Sequence, residues 1–168
     1  MQGRGMRFRD KAVLVIGGNS GIGLAAAKGF AAEGAQVVVT GRDPKTLAEA
    51  ALSIGNGALA LRSDISDIDS LDMVIATMRE RLGRIDVLFV NAGIGTFAPI
   101  PTVTPQLWDQ VQAVNLKGCF FAAQKALPLM GKGGSIVFTG SIGSVLAVPG
   151  NAVYAAAKAG LRAVARIF

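Results

Sequence analysis

Tyr154 is the only tyrosine of the 168-residue chain, Lys158 stands four positions after it, and the chain contains no histidine. Proton transfer near neutral pH therefore cannot use the imidazole that most often performs it. Positions four apart on a helix share one face, so the run YAAAK over 154–158 places a phenol beside an ammonium with only alanines between them. A free tyrosine titrates near 10, and lowering that by about three units takes about 4 kcal/mol of preferential stabilisation of the phenolate. An ammonium about 4 Å away supplies about that much at an effective dielectric of about 20. Such a pair can serve as a tuned general acid/base. Ser141 and Ser144 lie upstream of it and compete on composition as a hydroxyl partner.

A second chemical signal is the run GGNSGIG at 17–23, between an apolar run and an alanine-rich segment. Glycines allow a tight turn and close approach to a pyrophosphate, whose charge then sits at a helix N-terminus. This strand-to-helix setting is the one a dinucleotide motif requires. An acidic residue about 20 positions on takes the ribose hydroxyls of NAD. Gly41 holds that place here, followed by Arg42, while Asp43 precedes Pro44 as a helix cap. A small residue followed by a guanidinium suits a 2′-phosphate, which favours NADP(H).

The elements that would position these groups alternate. Residues 12–16, 36–40, 58–62, 85–90 and 135–139 read as short strands, several of them continuously apolar, as strands covered on both faces are. Helical periodicity falls at 21–33, 44–53, 67–82 and 105–130, and again from 151 in a register that runs to the end of the chain. Gly34 ends the first helix, Asp43-Pro44 opens the second, and Ser66 opens S-x-x-D for the third. Repeated βαβ units predict a single α/β domain over 1–168, a doubly wound parallel sheet with right-handed crossovers. Residues 1–6 are expected to be a flexible extension.

Composition agrees with one domain: 51% of residues are hydrophobic and 17% charged. The net charge of +6 is spread along the chain without interleaved aromatic residues, which argues against a nucleic-acid surface. No apolar run is long enough for a membrane helix, and no cleavable leader follows the basic start, so a cytoplasmic location is expected. Cys119 is the only cysteine; it lacks the spaced partners of a metal site and reads as a core residue. No Asp or Glu follows Asp109, whereas six Lys or Arg do.

Taken with Asn91-Ala92-Gly93 after the fourth strand, Asn115 in VNLKG, and Ser141, these motifs make the chain resemble the short-chain dehydrogenase/reductase family from residue 7 to residue 168. The resemblance implies a Rossmann-type sheet ordered 3-2-1-4-5, a nicotinamide cofactor across the carboxyl ends of the strands, and hydride exchange with a small carbonyl or alcohol substrate. A homo-oligomer is expected. By the same resemblance Gly17, Asn19, Ser20, Gly21, Ile22 and Gly23 hold the cofactor together with Arg42. Asp64 and Ile65 contact the adenine, and Asn91, Ala92 and Gly93 line the cleft. Ser141, favoured over Ser144 by its spacing to Tyr154, orients the substrate oxygen. Tyr154 is the acid/base group, Lys158 also holds the nicotinamide ribose, and Asn115 joins a water relay.

Ile16 and Val90 stand where the family has threonine and often asparagine. The family fold also continues through two more strands and a substrate-covering segment, whereas this chain stops at Phe168, so a truncated chain lacking those strands is expected. A non-catalytic dinucleotide sensor or interaction module, or an inactive fragment, are the alternative readings.

Overall fold

The structure, a computed structural model, describes residues 6–168. Of the extension expected at 1–6, only Met6 falls among them; a Cβ on Gly34 would lie 3.1 Å from its Sδ. Five parallel strands form one sheet in the order β3-β2-β1-β4-β5. They are β1 (Ala12–Ile16), β2 (Gln36–Gly41), β3 (Leu59–Arg62), β4 (Val87–Val90) and β5 (Ser135–Phe138). The central strand β1 pairs with β2 through Val13↔Val37 and with β4 through Val13↔Val87.

All five residues of β1 are buried because the strand is covered on both sides. Alternation divides its side chains between two cores. Val13 and Val15 join Val37 and Val39 under α1 (Gly21–Ala32) and α2 (Pro44–Ile54), where Ala27, Ala31, Leu47 and Ala50 close the layer. Leu14 and Ile16 join Leu88 and Val90 on the opposite face, beneath Leu71, Val74 and Met78 of α3 (Ile68–Leu82). Ala122, Ala123 and Ala126 of α5 (Cys119–Ala126) complete that side. Leu161 of α6 (Ala152–Val164) reaches the same core.

Most helix signals hold. Gly34 adopts φ +93° after α1, and the Asp43 carboxylate accepts the Lys45 N–H at 2.8 Å ahead of Pro44. The third helix is capped differently. Asp67 takes the N–H groups of Asp69 and Ser70, while Ser66 turns its own N–H and hydroxyl to Asp64, so the S-x-x-D reading is corrected by one residue. The helix expected over 105–130 is divided. α4 (Pro105–Gln112) opens on the Thr104 cap, a π-helical turn follows over Ala113–Gly118, then α5, and Pro128 ends the run in a 3₁₀ turn. The last helix stops at Val164 instead of running on, and Phe168 rests near the rings of Phe120 and Phe138, at centroid distances of 5.7 and 6.1 Å.

Candidate active site

The sheet changes direction of progression at β1, whose neighbours β2 and β4 lie on opposite sides. In open α/β sheets that point leaves a crevice beyond the carboxyl ends of the strands. A cleft of about 560 Å³ occupies it, within the range of small-molecule sites. Gly17, Asn19 and Ser20 of the glycine loop line it, as do Arg42, Asp64 and Ile65 on one side and Asn91, Ala92 and Gly93 on the other. Gly21, Ile22 and Gly23 are not in its wall, and Ile22 is exposed.

The loop is stitched to both flanking strands. Gly17 takes φ +77°, and a Cβ there would lie 2.7 Å from the Ala92 backbone. Its N–H donates to Thr40 Oγ1 at 3.2 Å, while Asn91 Nδ2 donates to its carbonyl at 3.1 Å. A Cβ on Gly23 would overlap the Gly17 carbonyl oxygen, so glycine is required where the first turn of α1 closes on the loop. Ser20 makes no side-chain cap on α1, and the first turn carries no acid, whereas Asp43, Asp67 and Thr104 cap α2, α3 and α4. The uncapped N–H groups and positive dipole end fit a phosphate group. The residues present thus fit a dinucleotide.

At the end of β2, a Cβ on Gly41 would come within 2.5 Å of Asn19 Cγ. Asn19 is held in that place by donating from Nδ2 to Thr46 Oγ1 at 2.8 Å. A side chain at residue 41 would displace the Asn19 amide from this place. The Arg42 side chain is 68% exposed, with Nη1 3.9 Å from Asp64 Oδ2. Burial opposes the Asp64 charge, but hydrogen bonds from the Ser66 hydroxyl and N–H, with the Arg42 guanidinium, hold its carboxyl below the usual carboxylate value.

Tyr154 and Lys158 share one face of α6. The Lys158 side chain is 3% exposed, its Nζ donates to the Thr139 carbonyl at 2.7 Å and stands 5.8 Å from the centroid of the Tyr154 ring. Thr139 follows β5, and its hydroxyl donates to Asn91 Oδ1 at 2.9 Å, which ties the lysine's anchor to the cleft wall. A Cβ on Gly93 would meet Asn115 Oδ1 at 2.9 Å and Lys158 Nζ at 3.7 Å. Asn115 is fully buried in the π-helical turn and grips the Ile94 peptide at both ends, accepting its N–H at 2.9 Å and donating to its carbonyl at 2.8 Å. Ser141 Oγ accepts the Gly143 N–H at 3.1 Å, which leaves its hydroxyl proton to be donated. Ser144 is engaged otherwise, its hydroxyl donating to the Ser141 carbonyl at 2.7 Å. A Cβ on Gly143 would lie 3.4 Å from Ser141 Oγ and 3.9 Å from Tyr154 Cδ1, so the serine and tyrosine flank one glycine.

Residues 11–168 match the family model described as short chain dehydrogenase. The chain belongs to this family. It is 38% identical over 162 residues to an oxidoreductase of Sarocladium schorii, a match that covers 95% of this chain and 65% of the relative. It is 36% identical over 135 residues to galactitol 2-dehydrogenase of Agrobacterium fabrum, covering 79% of this chain and 53% of that one. Among solved structures, levodione reductase superposes with a TM-score of 0.91 at 34% identity, covering 96% of this chain and 66% of that one. The chain thus spans just over half to about two thirds of the length of these relatives.

Several supporting residues were not foreseen from the sequence: Thr40 and Thr139 at strand ends, Thr46 behind Asn19, and the Ile94 peptide under Asn115. The only available signal was a hydroxyl residue closing an otherwise apolar run, as in QVVVT and SIVFT. Cys119 is a core residue as read, and burial pushes its thiol up to about 11.

Proposed function

We propose that this protein is an NAD(P)-dependent oxidoreductase that exchanges hydride between nicotinamide and a carbonyl or alcohol, with NADP(H) favoured and Tyr154 as acid/base group. The observation that carries the reading is the position of Gly93, which is part of the cleft wall and whose missing side chain leaves room for Asn115 and Lys158. The cofactor cleft and the Tyr154–Lys158 face meet at that residue. The bound cofactor supplies or accepts the hydride.

The chain's own groups manage binding and the proton. Gly17 to Gly23 and the start of α1 receive the pyrophosphate, and Asp64 and Ile65 bound the adenine end. The exposed Arg42 guanidinium would meet the 2′-phosphate, and Gly41 beside it carries no carboxylate to repel that group. Ser141 donates its hydroxyl proton to the substrate oxygen and orients it. Tyr154 gives its phenolic proton to that oxygen during reduction and recovers it during oxidation. The Lys158 ammonium, anchored on Thr139, would keep positive charge beside the phenolate and would hold the nicotinamide ribose. Asn115 is the relay residue of the proposal, with its side-chain amide holding Ile94.

Calorimetric titration of the purified chain with NADP⁺ and NAD⁺ tests the binding half of this reading. Saturable binding of both, tighter for NADP⁺, is expected. No binding of either would overturn it.

A further inference from the structure

The hydrogen bonds behind the Asn19 side chain decide which end of its amide stands over Gly41. The Thr46 hydroxyl has one proton, and it donates that proton to the Asp43 carbonyl at 3.1 Å, an atom that can only accept. Toward Asn19 the hydroxyl is left as an acceptor, so the end that meets it, at 2.8 Å, is the donor Nδ2. The other end is then Oδ1, which stands 2.5 Å from the place a Cβ on Gly41 would take. Oδ1 accepts no hydrogen bond from the described residues, and it is not sealed from solvent, because none of their buried side-chain oxygens or nitrogens lacks a partner. Asn19, Gly41 and Arg42 line the same cleft.

In a dinucleotide cleft an acid at the end of the second strand accepts the ribose hydroxyls. Gly41 supplies no such acid, and the Asn19 oxygen stands where its side chain would begin. We infer that Asn19 Oδ1 replaces that acid as the acceptor for a hydroxyl of the cofactor's adenosine ribose, and that Thr46 is the positioning residue that holds it in this role. The inference rests on the reading of the cleft as a nicotinamide dinucleotide site with Arg42 at the 2′-phosphate. That placement leaves the 3′-hydroxyl, present in both cofactors, for Asn19. An amide oxygen carries no net charge, so it accepts the hydroxyl without setting an anion beside the 2′-phosphate, as a carboxylate there would. The two carboxylates that do line this part of the cleft have partners of their own. Asp43 accepts the Lys45 N–H at 2.8 Å, and Asp64 accepts from Ser66 and faces Arg42. Without the Thr46 bond the amide is free to turn and present Nδ2, a donor that suits a hydroxyl proton poorly.

Calorimetry on the full chain tests this with three ligands: NADP⁺, NAD⁺, and an NAD⁺ analogue lacking the adenosine 3′-hydroxyl. The parent is expected to bind the analogue about fivefold more weakly than NAD⁺. Thr46→Val keeps the shape of the side chain and removes the hydroxyl, and it should narrow that penalty to less than about twofold, while Thr46→Ser keeps it at about fivefold. Asn19→Asp puts a charge on the same shape and should weaken NADP⁺ at least about tenfold while changing NAD⁺ by less than about twofold. A Thr46 that only stabilises the fold would weaken all three ligands alike in Thr46→Val and leave the penalty as it is. The parent's penalty and Asn19→Asp decide the role of Asn19 whether or not Thr46→Val folds. A penalty absent from the parent, a penalty unchanged in Thr46→Val, or equal losses of both natural cofactors in Asn19→Asp overturns the inference and leaves the cofactor reading standing. Failure of the parent to bind either natural cofactor overturns both.

Discussion

The Lys158 ammonium is held by the Thr139 carbonyl at 2.7 Å. A cation 3% exposed and anchored on a neutral carbonyl is a costly arrangement for stability. Replacing a buried charge by an apolar group of similar volume is often neutral or stabilising. Lys158→Met is therefore expected to melt within about 1 kcal/mol of the parent or higher, while losing turnover by about 100-fold or more. Thermal melts beside kcat/KM measurements check this; a clear loss of stability with activity retained would make Lys158 a structural residue.

Gly23→Ala brings a methyl group against the Gly17 carbonyl and within 2.8 Å of Asn91 Nδ2. The loop must shift to admit it, at a cost of about 1–3 kcal/mol. Cofactor affinity is expected to fall at least tenfold, by about the 1.4 kcal/mol that such a change represents, as read by calorimetry. The expectation fails if affinity and melting temperature are both unchanged.

Much of this arrangement was legible because buried parallel strands write themselves as continuous apolar runs. AVLVI fills both cores at once, and the glycine loop follows it directly. Helix ends were readable where a single side chain decides them, as with Asp43 before Pro44. The cap of α3 was misread because Ser66 and Asp67 compete locally, and Asp64 draws Ser66 away. The division of 105–130 depends on contacts absent from that stretch's own pattern. Asn115 bonds to Ile94, 21 residues away, and Gly118 closes against the Ile65 backbone. For the site, the chemical residues carried a spacing signal, whereas their supports, Thr139 and Thr46, did not.

Arg42→Ala separates the two nicotinamide cofactors. A guanidinium meeting a phosphate contributes through charge-assisted hydrogen bonds of about 1.5–3 kcal/mol, moderated here by the exposure of the side chain. The variant should bind NADP⁺ about tenfold or more weakly and leave NAD⁺ nearly unaffected. Equal losses for both cofactors, by calorimetry, would remove Arg42 from the phosphate subsite.

Far from the cleft, Asp86 ties the start of β1 to β4. Burial opposes its charge, but the Ala12 N–H at 2.8 Å and the Arg84 and Lys11 cations hold its carboxyl below the usual value of 3.8. A group with a depressed folded pKa stabilises the fold above its unfolded value, and loses that contribution as pH falls through the folded one. Asp86→Asn should cost about 1–2 kcal/mol near neutral pH. The gap from the parent should narrow below pH of about 4, as followed by urea denaturation across pH. A gap that stays constant with pH would show that the charge contributes nothing.

The central claim is that Tyr154, beside Lys158 and Ser141, moves the proton that accompanies hydride transfer. Tyr154→Phe keeps the ring near the Lys158 ammonium and removes only the hydroxyl. Carbonyl reduction by NADPH, measured with cofactor affinity on the same preparations, tests the claim most directly. The account predicts kcat lowered by about 100-fold or more with cofactor affinity within about twofold of the parent, because the phenol's proton acts in the chemical step. Near-parental turnover in Tyr154→Phe would contradict it.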